Sequence, residues 1–286
     1  MKKVIVLGSN GQLGKTIKDF SETEAVQFVF FSRSEIDITN KNNLITAFGN
    51  SNFDYCINCA AYTNVEAAET NIEEAFLINA EGSKNIAEVC NSFQVKLIHI
   101  STDYVFDGEK EEPYTTSDIT NPINQYGKSK LKGELYIQEH LKTHYIIRVS
   151  WLYSLHGKNF VKTIIDKIKN DAVLNITTEE KGTPTSCIDL VAFIFHIIKR
   201  DNMPYGIYNF SASGSTTWYG FAKEVAINYN ADKTENINPS AHFKTIAKRP
   251  KYSVFDLTKT EQFYKELNTW QESVGALVEK YKMENN

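Results

Sequence analysis

The sequence predicts an α/β protein: a doubly wound parallel sheet with a smaller C-terminal lobe interleaved with it. Two observations carry this. The first half alternates short apolar runs with stretches of helical spacing, the pattern of βαβ units whose sheet is covered on both faces. A glycine-rich turn, Gly8-Ser9-Asn10-Gly11-Gln12-Leu13-Gly14, follows the first apolar run and opens the first helix.

Expected strands are Lys3–Leu7, Val26–Phe31, Tyr55–Cys59, Lys96–Ile100 and Tyr145–Val149, with helical spacing between them at Leu13-Ile17-Phe20 and from Ala75 to Val89. Beyond Trp151 come a helix (Phe160–Ile168), a short strand (Val173–Ile176), a turn at Gly182-Thr183-Pro184, an apolar helix (Asp189–Ile198) and a strand (Gly206–Phe210). The remainder is more polar, with helices at Trp218–Tyr229 and Thr269–Tyr281. With no repeat or flexible linker, the two lobes are expected to share the chain: 1–150 with 183–211 as a dinucleotide-binding body, 151–182 and 212–286 as a substrate-binding lobe.

Composition narrows the function. With 42% hydrophobic and 23% charged residues among 286, the chain should fold. A net charge of -4 and a pI near 5.9 exclude a general nucleic-acid binder, which needs clustered Lys and Arg. Only four apolar residues, Val4 to Leu7, precede Gly8, and no run approaches the roughly 20 that span a membrane. A cytoplasmic location without membrane contact is expected. Cys56 and Cys59 form a C-x-x-C pair, but on a strand an offset of three puts them on opposite faces, and no paired His or Cys completes a zinc set, so no metal site is expected.

The glycines at 8, 11 and 14 let the backbone turn and approach a pyrophosphate resting on helix N–H groups, as in a Rossmann-type fold. A nucleotide-phosphatase loop is excluded because Ser9 stands where its first glycine should be. After the second strand, Ser32 and Arg33 replace the acid that would bond a ribose 2′-hydroxyl and suit a 2′-phosphate. That favours NADPH, with NADH the alternative through Glu35 or Asp37.

Tyr126 and Lys130 lie four apart on an expected helix, so both emerge on one face. An ammonium near a phenol favours the phenolate and tunes it for proton transfer. Thr102, at the polar end of a strand, can donate to a substrate carbonyl. Together the three supply a carbonyl reductase. Trp151 is expected on the crevice side and Trp218 in the core.

These residues resemble those of the dTDP-4-dehydrorhamnose reductases, extended members of the short-chain dehydrogenase/reductase family. The resemblance spans nearly the whole chain: Gly8–Gly14, Asn58–Glu66, Ser101–Phe106, Tyr126–Lys130, Val149–Tyr153, Gly182–Thr185, Ser213–Tyr219, and Arg249-Pro250 with Ser253. It implies that Gly11, Gln12, Leu13, Asp37, Ile38, Ala60, Ala61 and Tyr62 line the cofactor site. It also implies that Thr102, Asp103 and Trp151 contact a sugar nucleotide, and that Arg249 meets its phosphates. The implied reaction reduces dTDP-4-dehydro-6-deoxy-L-mannose to dTDP-L-rhamnose for surface polysaccharide. Where members often carry Asp-Lys after Val65 this chain has Glu66-Ala67, so a substrate contact by that lysine is not expected. Some members bind Mg²⁺ at a homodimer contact; nothing in the sequence marks such a site. The rival readings are another nucleotide-sugar reductase or a 4-epimerase of the same fold, and a non-catalytic NADP-binding subunit resembling the β subunit of methionine adenosyltransferase.

Overall fold

The computed structural model describes residues 1–22, 25–241 and 245–285. Strands β1 (Lys2–Leu7), β2 (Val26–Phe31), β3 (Tyr55–Asn58), β4 (Lys96–Thr102), β5 (His144–Val149) and β6 (Gly206–Phe210) form one parallel sheet in the order β6-β5-β4-β3-β1-β2. From β1 the chain crosses to β2 on one side, then returns to β3 on the other. The winding therefore reverses between β1 and β3, and their carboxyl ends open a crevice there.

Alternation along each strand feeds two cores. Val4, Val6 and Ile57 face one layer, which holds helices α1 (Gln12–Ser21) and α6 (Cys187–Arg200). Ile5, Leu7 and Cys56 face the other, with α2 (Lys41–Gly49), α3 (Gly82–Phe93) and Ile137 of α4 (Gln125–His140). Cys56 and Cys59 pack into opposite layers and all four cysteines are free. Each fully buried aliphatic chain contributes roughly 1.5–3 kcal/mol, so the crevice is the rim of a rigid platform.

A third core joins α5 (Phe160–Lys169), α7 (Trp218–Asn230) and α8 (Trp270–Asn285). Beside it Leu174–Thr177 pairs in parallel with Ile237–Ser240. Between those segments the chain returns to the sheet: Thr185–Ser186 pairs with Leu152–Tyr153, α6 follows, and β6 adds to the edge at β5. Phe263, Tyr264 and Leu267 of the tail pack on the first core instead.

Two strand ends differ from expectation in ways that shape the crevice. β4 continues past Ile100 because Ser101 and Thr102 still pair with Arg148 and Val149, so Thr102 is held by the sheet. β3 stops at Asn58 rather than Cys59, where the Asn58 side chain accepts from the Ala60 N–H. Among the described residues no helix is long and apolar enough to cross a membrane.

Candidate active site

The turn after β1 is built to approach a ligand. Gly8 has φ +77°, and a Cβ there would sit 2.6 Å from the Ala60 nitrogen. A Cβ at Gly14 would strike Ser9 Cα at 2.6 Å, whereas one at Gly11 would meet nothing nearer than Gly8 O at 3.4 Å. Gly8 and Gly14 close the turn; Gly11 leaves space on the crevice side. Helix α1 begins at Gln12 with no side-chain cap and no acid in its first turn, which leaves the positive end of its dipole uncompensated by the chain. The Gln12 amide oxygen accepts from Ser154 Oγ (3.2 Å) and Asn159 Nδ2 (3.1 Å), which ties this turn to the second lobe.

Two adjoining cavities run along the carboxyl edge of the sheet. One of about 200 Å³ is lined by Arg33, Ile36, Asp37 and Ile38, the other of about 640 Å³ by Thr102, Tyr126, Lys130 and Trp151, and both share Asn10, Gly11, Cys59, Ala60 and Ala61. The two cavities thus form one elongated groove that passes over Gly11. Arg33 is 70% exposed and only 3.9 Å from Glu74, which leaves its guanidinium free to turn to a phosphate. Asp37 accepts from the Thr39 N–H (2.9 Å) and hydroxyl (2.8 Å), and these bonds hold its carboxyl below the usual range. The N–H and hydroxyl of Ser32 both donate to Glu35 Oε2 at 2.7 Å. Among the described residues Ser32, Gly14 and Tyr62 line neither cavity. Tyr62 instead anchors its loop, donating from its N–H to Asn79 Oδ1 at 2.8 Å.

Helix α4 carries Tyr126 and Lys130 into the larger cavity. Asn124 caps it by accepting from the Gly127 N–H at 2.7 Å, a bond worth about 1 kcal/mol. Gly127 is required because a Cβ would lie 2.1 Å from Tyr104 O. This contact brings the first turn of α4 onto the end of β4, so that Tyr126 and Thr102 line the same cleft. Thr102 donates to Asp103 Oδ1 at 3.0 Å and accepts from the Tyr104 N–H.

The electrostatics depart from the sequence expectation. Burial pushes the Tyr126 phenol up to about 12, helped by the Asp103 carboxylate, so the ligand-free site keeps it protonated rather than poised as phenolate. Burial also lowers Lys130 to about 8 and raises Asp103 to about 6. The Lys130 Nζ turns to the sheet, donating to Ile100 O at 2.7 Å. Behind it Glu134 is fully buried and paired with Arg148 at 2.7 Å.

Trp151 and Trp218 both line the cleft and stack with centroids 3.9 Å apart and planes 10° from parallel. Trp218 is thus a wall of the site, not only a core aromatic. Its apolar helical spacing matched a core position, and the stacking partner lies 67 residues away in sequence. Arg249 reaches the cleft too, held at 3.0 Å by Glu66, which also accepts from the N–H groups of Ile246 (2.7 Å) and Ala247 (3.3 Å). Glu66, at the position where the sequence diverges, therefore shapes the Arg249 loop. Tyr104, within the Ser101–Phe106 motif, also lines the cleft, as do Lys158 and Asn159, which no sequence motif marks.

Comparison with known proteins agrees with this geometry. Residues 1–283 match the family model described as RmlD substrate binding domain. A dTDP-4-dehydrorhamnose reductase of Aggregatibacter actinomycetemcomitans is 33% identical, the alignment covering 96% of this chain and 97% of that protein. Two crystal structures of dTDP-4-dehydrorhamnose reductases superpose with a TM-score of 0.91, each covering 98% of this chain and all of the other. The Clostridium acetobutylicum protein is 35% identical, and the Bacillus anthracis protein, 34% identical, is in complex with NADP.

Proposed function

This chain belongs to the RmlD substrate binding domain family, and from that premise we infer that it is an NADPH-dependent dTDP-4-dehydrorhamnose reductase. It reduces the 4-keto group of dTDP-4-dehydro-6-deoxy-L-mannose, giving dTDP-L-rhamnose. The observation that carries this reading is the convergence of Thr102, Tyr126 and Lys130 on one cleft continuous with the Gly8–Gly14 turn.

NADPH, when bound, supplies the hydride. The chain's own groups bind, orient and protonate. Gly11 and the first N–H groups of α1 would receive the pyrophosphate and Arg33 the 2′-phosphate, with Ala60 and Ala61 forming the floor of the groove. Thr102 orients the substrate carbonyl oxygen and Tyr126 gives it a proton as negative charge grows there. The high phenol pKa of the ligand-free site keeps that proton in place until the carbonyl arrives. Lys130, as the ammonium, would then steady the phenolate that is left. The stacked Trp151 and Trp218 exclude water beside the sugar, and Arg249 faces the diphosphate. The lobe formed by 151–182 and 212–286 would thus hold the sugar nucleotide against a body formed by 1–150 and 183–211.

The reading is tested by NADPH oxidation against a panel of dTDP- and UDP-linked 4-keto sugars. One NADPH consumed per dTDP-4-dehydro-6-deoxy-L-mannose reduced supports it. Product formed without net NADPH consumption would mark an epimerase, and no turnover with any sugar a binding subunit.

A further inference from the structure

Lys130 has a second neighbour besides Ile100 O: its Nζ is 3.4 Å from Nε2 of His99, a fully buried residue of β4. The Nδ1 of the same ring is 3.0 Å from Asn58 Nδ2, and Asn58 Oδ1 accepts from the Ala60 N–H at 3.0 Å. That last bond fixes the amide, because exchanging its oxygen and nitrogen would set NH₂ against N–H. Asn58 Nδ2 therefore donates to His99, and Nδ1 must carry the lone pair. Burial holds the ring neutral, far below the usual histidine range. Its single proton then sits on Nε2 and is aimed at the Lys130 nitrogen. An ammonium has no lone pair to receive it. A neutral amine does, and can still donate to Ile100 O.

We propose that His99, locked by Asn58 as its Nε2–H tautomer, is a positioning residue that disfavours the ammonium form of Lys130, so that in mildly alkaline solution the ligand-free site holds the neutral amine until a bound cofactor offers the ammonium new acceptors. Lys130 then takes one proton from solvent as the nicotinamide ribose arrives. This proposal rests on the reductase reading for its ligand, but its first premise is a property of the empty site. The charged groups around the pair leave the bias in place. Glu134, one turn further along α4, favours the ammonium, yet its carboxylate is engaged by Arg148 at 3.0 and 2.7 Å. His144 at the start of β5 acts against charge on His99.

Two measurements test it. The first is nitrogen NMR of the ligand-free protein labelled at histidine. A neutral ring protonated at Nε2 is expected for His99; a ring protonated at Nδ1, or an imidazolium, overturns the proposal whether or not the chain is a reductase. The second is NADPH-binding calorimetry in buffers of different ionisation heat at about pH 8.5, where an amine with a pKa of about 8 is mostly neutral. Wild type should take up about one proton, and its affinity should fall about tenfold from pH 7 to 9. In Asn58→Asp the carboxylate would accept from Nδ1–H and turn the Nε2 lone pair to Lys130, so uptake should vanish. Equal uptake in the variant and wild type would overturn the link. A protein that does not bind NADPH at all would defeat the reductase reading while the NMR result still decided the tautomer.

Discussion

Trp151 and Trp218 lie face to face, 3.9 Å between centroids, although one follows β5 and the other opens α7. Trp151 adopts φ +45° to reach this position, and a Cβ at Gly182 would lie 2.6 Å from its ring. The stack therefore joins two distant segments of the second lobe and forms one wall of the cleft. Trp218→Ala should raise KM for the sugar nucleotide about tenfold with a smaller change in kcat, since an aromatic pair is worth roughly 0.5–1.5 kcal/mol beyond its burial. Steady-state kinetics would show this, and an unchanged KM would return Trp218 to a purely packing role.

The glycines of the first turn should separate folding from binding. Gly8→Ala strains a left-handed backbone and collides with Ala60, so it should cost about 1–3 kcal/mol in thermal or denaturant unfolding. Gly11→Ala meets no such obstacle. It should melt like wild type yet bind NADPH at least about tenfold more weakly, because its methyl group takes the place of the pyrophosphate. Equal affinity by fluorescence titration would move the phosphate elsewhere.

Glu66 is expected to act through Arg249. Glu66→Ala removes the acceptor of the Ile246, Ala247 and Arg249 donors at once. KM for the sugar nucleotide should rise several-fold, with stability falling by about 1 kcal/mol because the pair is partly exposed. Glu66→Asp, which keeps the charge, should recover part of the KM; failure of both effects would detach the loop from binding.

Lys130 gives a pH signature in stability. Its pKa falls from an ordinary 10.5 to about 8 on folding, so between those values the unfolded chain binds more protons. The ligand-free protein should then gain stability from this group as pH rises from about 8 to 10.5, and carry the full penalty below 8. Lys130→Met lacks the group, so its stability advantage over wild type should be largest near pH 7 and shrink towards pH 10. An advantage independent of pH, by urea unfolding, would contradict the buried, depressed amine.

Local chemistry was legible in the sequence and long-range geometry was not. The runs Val4–Leu7 and Tyr145–Val149 announced interior strands because burial on both faces demands mostly apolar residues, whereas Val26–Phe31, interrupted by Gln27, is the partly buried edge strand. Gly8, Gly11 and Gly14, and the four-residue spacing of Tyr126 and Lys130, are local too, and they line or shape the groove. Ser32 lines neither cavity, and Glu35, three residues on, accepts from both its N–H and its hydroxyl, a local pairing that the sequence reading did not anticipate. The phenol acidity was misjudged because helical spacing fixes neighbours, not the desolvation that dominates Tyr126. Trp218, Glu66 and His99 acquire their roles from partners at least 31 residues distant, which no period or motif encodes.

The central claim is that Tyr126 gives the proton to the reduced carbonyl. Its most direct measurement is the turnover of Tyr126→Phe with dTDP-4-dehydro-6-deoxy-L-mannose, alongside NADPH affinity. A fall in kcat of about 10²-fold or more with cofactor affinity retained is the expected result, the usual worth of a positioned acid. Turnover equal to wild type would contradict the account.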